Sequence, residues 1–284
     1  MSGTFHGIWL GENAMSGETN GKPFDYVVVD LNTQYDFCDH EGQSPVANVD
    51  ALLRALRRTV AWTKRNAVPV VSSVETHRCG ELSDSGRALC CIDGTRGQDK
   101  IEFTLLGARI YIEVDNMLCC PIDLFGKYQQ VIFRKRSDDL LLNPKADRFF
   151  SQIPTREFLI LGTGLENSIR SLVLGLLARN LRVLIVEDAC GFSDPATGEL
   201  AIRQMVAKGA RRISVDKLLK RKLPRRIRYA RHFETDAPRN TRESSNGNAR
   251  HSQAKQHPDA HRLPNQGDAS RIPPKSGGFC GSEP

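Results

Sequence analysis

Short unbroken apolar runs alternate along the chain with stretches whose apolar residues recur at helical spacing. "YVVVDL" (26–31) is an apolar run, broken only by Asp30, of the kind expected of a parallel strand buried on both faces. In "VANVDALLRALRRTVAWTKRN" (46–66) the apolar positions are 46, 49, 52, 53, 56 and 60, which predicts an amphipathic helix. Further strands are predicted at "VPVVSSV" (68–74), "RIYIEV" (109–114), "QQVIFRK" (129–135), "EFLILG" (157–162), "RVLIVEDA" (182–189) and "RRISV" (211–215). Leu165, Ile169, Leu172, Val173, Leu176 and Leu177 form one face of a helix after the fifth strand, "GELAIRQMVAKG" (198–209) predicts another, and "DKLLKRK" (216–222) a last one. Repeated strand–helix–strand units with short connections predict an α/β domain over residues 24–222. Its architecture is a three-layer, Rossmann-like open parallel sheet with helices on both faces.

Composition changes this picture only at the ends. Residues 1–23 are rich in Gly, Ser, Asn and Thr without periodicity and are expected to be a flexible leader. Residues 223–284 hold few aliphatic side chains and are expected to be a disordered basic tail. The tail has 11 Lys/Arg against 6 Asp/Glu, whereas residues 1–222 have 29 against 27, so most of the net charge of +7 belongs to the tail. Its basic residues show little aromatic interleaving and no recognised motif, so a solvated tail is favoured over a nucleic-acid-binding one. The eight cysteines include two adjacent pairs but no Cys-x-x-Cys, which does not describe a small secreted disulfide scaffold. With no basic–apolar leader and no spanning-length apolar run, a cytoplasmic location without membrane contact is expected.

In open parallel sheets, sites form at the carboxyl ends of strands. Four ends carry notable groups: Asp30 in the first strand, Glu75 and His77 after the second, Arg134 and Lys135 in the fourth, and Gly162-Thr163-Gly164 before Ser168. Each also has a plainer reading as a turn residue, a solvated charge or a helix cap.

In order along the chain, "VVVDLNTQYDFCD", "VPVVSSVETH", "CCIDGTRGQDK", "VIFRKRSDDLLLN" and "ILGTGLENSIRSLVLGLLARNLRVLIVEDACG" resemble the isochorismatase-like cysteine hydrolase superfamily, which includes nicotinamidases and N-carbamoylsarcosine amidases. The resemblance spans about residues 25–220. It implies a catalytic Asp, Lys and Cys that cleave a non-peptide C–N bond of a small amide through an acyl-enzyme. The Asp falls on Asp30 and the Lys on Lys135, with Arg134 one residue away. The Cys falls on Ser168, or on Asn167 with a shift of one, so a hydroxyl or an amide stands where the thiol is expected. Two alternatives stay open beside the amidase: a pseudoenzyme or binding protein that keeps the fold, and a thiol-independent hydrolase of the isochorismatase type, which cleaves a vinyl ether without an acyl-enzyme.

The resemblance implies three further features. One is a non-proline cis peptide at Thr163–Gly164 that contributes to an oxyanion hole. Another is a divalent metal such as Zn²⁺ on Glu75 and His77, with Cys90 as third ligand, beside the plainer reading of polar residues lining a crevice. The last is assembly as a homo-oligomer acting on a small-molecule substrate.

Overall fold

The computed structural model describes residues 24–81, 90–114 and 123–223; the leader and the tail beyond residue 223 lie outside the described residues. Seven strands form one parallel sheet: β1 (Val27–Leu31), β2 (Val70–Glu75), β3 (Arg109–Ile112), β4 (Gln130–Lys135), β5 (Phe158–Gly162), β6 (Val183–Cys190) and β7 (Arg211–Ile213). Their order is β3-β4-β2-β1-β5-β6-β7. The chain builds outward from β1 through β2 and β4, then returns to the other side of β1 with β5. The strand order therefore reverses between β1 and β5, and the crevice at such a reversal is where these sheets bind ligands.

The period-two alternation of the strands divides the interior into two layers. Val27, Val29, Leu31, Val71, Val131, Phe133, Phe158 and Ile160 face α3 (Pro144–Gln152), α4 (Arg170–Ala178) and α5 (Pro195–Ala207). Val28, Val70, Leu159, Leu161, Leu184 and Val186 face α2 (Val49–Arg65) and α6 (Val215–Leu219). Leu52, Leu56 and Trp62 of α2 are almost wholly buried there, as its spacing requires. Each such side chain contributes on the order of 1.5–3 kcal/mol of burial.

The helix boundaries follow capping chemistry. α5 starts before residue 198, because Asp194 caps it through the Thr197 N–H and Pro195 occupies its first turn. Ser214 caps α6 in the same way, through the Lys217 N–H. The helix predicted over 46–66 begins at Val49 and ends at Arg65. α3 has no counterpart among the predicted elements. Asn143 caps it, accepting from the Lys145 and Ala146 N–H groups, and Phe149 and Phe150 anchor it. A single helical turn, α1 (Tyr35–Cys38), follows β1.

A candidate active site at the carboxyl ends of β1, β2, β4 and β5

The candidate site lies where β1 and β5 end side by side. Gly162 pairs with Leu31 in register, at φ +121°, and a Cβ there would lie 2.0 Å from the Leu31 carbonyl oxygen. Only glycine permits this approach. The next residue ties the two ends together. Thr163 donates its N–H to Leu31 O (2.8 Å) and its hydroxyl to Asn32 O (2.7 Å). Gly164, at φ +78°, opens a single π-helical turn, Leu165–Ile169, ahead of α4. That turn brings Ser168 back over the strand ends, where it is 2% exposed.

Four side chains meet there. Ser168 Oγ lies 3.1 Å from Asn32 Nδ2, 3.2 Å from Lys135 Nζ and 3.4 Å from Glu75 Oε1. Lys135 Nζ donates to Glu75 Oε1 at 2.9 Å and to Ser137 O at 2.8 Å. Asn32 Nδ2 donates to Glu75 Oε1 at 2.7 Å. All four residues are at most 4% exposed. An ionised carboxylate only accepts, so the Asn32 amide presents its NH₂ to Glu75 and its oxygen to Ser73 Oγ (2.7 Å). Asn32 and Lys135 supply donors to Ser168, and the acceptor within its reach is Glu75 Oε1. The serine O–H therefore points at that carboxylate.

Glu75 is itself held in place by Gln34, which acts as an extra rung on β2. Gln34 Nε2 donates to Glu75 O (2.9 Å), and the Glu75 N–H donates to Gln34 Oε1 (2.8 Å). Asn32 sits just past β1 at φ +50°, a left-handed conformation that asparagine tolerates better than most residues.

The predicted convergence of Asp30, Lys135 and Ser168 holds for the last two and not for Asp30. Asp30 is the fourth residue of β1, so its side chain enters the layer under the sheet, not the crevice beyond the strand end. There its Oδ2 pairs with Lys100 Nζ at 2.8 Å and accepts from Ser72 Oγ at 3.4 Å. Both charged side chains are at most 3% exposed. Lys100 Nζ also donates to Thr33 Oγ1. The protein thus contains two separate buried lysine–carboxylate pairs, Lys135–Glu75 at the strand ends and Lys100–Asp30 beneath them. Arg134 takes no part in either. It faces Glu113 (3.0 Å) and the Tyr111 ring at the β3 edge. Of the two nucleophile positions, Ser168 faces the cluster, while the Asn167 N–H closes back on Gly164 O.

Glu75, His77 and Cys90 do not make a metal centre. No group of three or more His, Cys, Asp or Glu side chains suited to a metal ion occurs among the described residues. Glu75 Oε1 is occupied by the ammonium of Lys135, and its Oε2 lies 3.7 Å from His77 Nε2. Both carboxylate oxygens thus already face protein groups, the Lys135 ammonium and the His77 ring, so these residues do not fit the metal. Contact with Glu75 and the charge of its carboxylate raise the His77 pKa above 6.5, against burial and Lys135. An NMR titration should place the His77 midpoint above 6.5, and Glu75→Gln should lower it. Because the folded value is raised, protonated His77 adds stability that is complete below the unfolded value and is lost as pH rises through the folded one. The thiol of Cys90 is shifted down by its neighbour Cys91.

A family model described as the isochorismatase domain matches residues 26–217. No curated protein gives a significant sequence match. Among solved structures, an isochorismatase family protein from Desulfovibrio vulgaris is similar over 70% of this chain and 100% of its own, at 18% identity and a TM-score of 0.57. A pyrazinamidase of Pyrococcus horikoshii in complex with zinc is similar over 67% of this chain and 99% of its own, at 16% identity and 0.53. The nicotinamidase PncA from Bacillus subtilis is similar over 67% and 100%, at 12% identity and 0.54. These likenesses establish the α/β fold with its seven-stranded parallel sheet.

Proposed function

Because the chain belongs to the isochorismatase domain family of hydrolases, we propose that it hydrolyses the C–N bond of a small amide with Ser168 as the attacking group. The observation that carries this reading is the cluster itself: Ser168 Oγ lies 3.4 Å from Glu75 Oε1, an acceptor for its proton, and 3.2 Å from Lys135 Nζ. Glu75 takes the hydroxyl proton as Oγ forms its bond to the amide carbon. Lys135 and Asn32 donate to the developing negative charge. Collapse of the tetrahedral adduct breaks the C–N bond, and Glu75 returns the proton to the leaving amine. Water then cleaves the resulting ester by the same steps in reverse. A serine needs such a base more than a thiol does, since its hydroxyl is far less acidic. Positioned bases of this kind contribute about 10²–10⁴-fold. Asp30 and Lys100 act from below, holding the end of β1 that presents Asn32.

A second reading is a binding protein that keeps the fold without turnover. It is favoured by the near-complete burial of Ser168 and by the full set of partners around its hydroxyl. Ammonia release from nicotinamide, pyrazinamide and related small carboxamides separates the two. The hydrolase reading expects activity in the wild type and a loss of at least ~10²-fold in kcat/KM for Ser168→Ala. Equal inertness of wild type and Ser168→Ala, with activity gained in Ser168→Cys, would establish the binding protein instead.

A further inference from the structure

We infer that the opposite edge of the sheet, at the amino ends of β1, β5, β6 and β7, carries a second binding site, for a phosphate-bearing ligand. Two adjoining cavities of about 270 and 410 Å³ lie there and share Glu157, Arg182 and Arg211 as walls. Their sizes suit a small ligand. The sheet topology creates the place: Tyr26, Glu157 and Arg182 immediately precede β1, β5 and β6, and Arg211 opens β7, four strands that are neighbours in the sheet. Arg156, Arg182, Arg211 and Lys222 line the first cavity against only Asp25 and Glu157.

The carboxylates are already engaged. Glu157 is 4% exposed and holds the Arg211 guanidinium through Nε (3.1 Å) and Nη2, with Arg221 at 3.8 Å. Arg221 is fixed in turn by donating to the Tyr26 hydroxyl at 2.5 Å. Asp25 pairs with Arg156 at 3.4 Å. Arg182 and Lys222 form no ion pair among the described residues, and both are exposed on the cavity wall. The result is an anchored guanidinium on a buried carboxylate, flanked by two cations that have no ion-pair partner among the described residues. Guanidinium forks match phosphate oxygens in pairs, and a lysine adds a point charge. Ser168 lies at the other ends of the strands, so this site is independent of the proposed hydrolysis.

Equilibrium dialysis of the full chain against radiolabelled pyrophosphate, with ADP as a second probe, tests the inference. Saturable one-to-one binding is expected, weakened at least ~10-fold in Arg182→Ala/Lys222→Ala, which is about 1.4 kcal/mol. Arg182→Glu should weaken it further, while Ser168→Ala and the tail variant Arg225→Ala/Arg226→Ala should leave it unchanged. Tighter binding of ADP than of pyrophosphate would identify a nucleotide ligand, and equal binding a free phosphate group; both support the site. No saturable binding of either probe, undiminished binding in the double variant, or loss of binding in the tail variant would overturn it.

Discussion

Replacing Lys135 by methionine should cost about 3–5 kcal/mol of stability at neutral pH, measured by urea unfolding. The magnitude follows from burial. Lys135 and Glu75 are 2% and 4% exposed, so removing the ammonium strands a carboxylate that water cannot reach. Asn32 and Ser168 still donate to that carboxylate and His77 lies 3.7 Å from its other oxygen, but none of them replaces the ammonium held at 2.9 Å. The loss should therefore be mostly recovered in Lys135→Met/Glu75→Gln, where the charge is removed with its partner. A single variant as stable as the wild type would mean that Glu75 has a different counter-ion.

A loss of the same order, about 3–5 kcal/mol, is expected for Lys100→Met. Here the stranded group is Asp30, whose Oδ2 loses its cation and whose Oδ1 has no hydrogen-bond partner among the described residues. Ser72 alone, at 3.4 Å, offers weak compensation. Lys100→Met/Asp30→Asn should recover most of the loss. Because this pair lies beneath the sheet, the double variant should retain the His77 titration of the wild type, whereas a change at Glu75 moves it.

Most of the sheet was legible because its signal is local. Continuous apolar runs at β1, β4, β5 and β6 admit little besides buried strands, and the helices between them follow a 3.6-residue spacing. α3 escaped because it has nine residues and only Ala146, Phe149 and Phe150 face the core; its clearest marks are the cap at Asn143 and the proline that follows. The site was legible at Lys135 and Ser168, each of which ends or follows a strand with its side chain over the crevice. It was not legible at Asn32. An acidic residue in the opening strand draws the eye to Asp30, yet position 30 lies within the strand and position 32 beyond it. A neutral amide also carries no sign of catalytic chemistry until the third dimension sets it against Glu75 and Ser168. Lys100 was hidden for another reason. It lies between two short 3₁₀ turns, Arg96–Gln98 and Glu102–Thr104, in a segment without periodicity, and only the Asp30 contact gives it meaning.

The division of the buried charges into two independent pairs is what moves the candidate chemistry from Asp30 to Glu75. Double-mutant cycles on unfolding free energy measure it directly, by combining Lys135→Met with Glu75→Gln in one cycle and with Asp30→Asn in another. The structure predicts a coupling above ~2 kcal/mol for Lys135 with Glu75 and less than ~0.5 kcal/mol for Lys135 with Asp30. Strong coupling of Lys135 to Asp30, with none to Glu75, would contradict it and restore Asp30 to the Ser168 site.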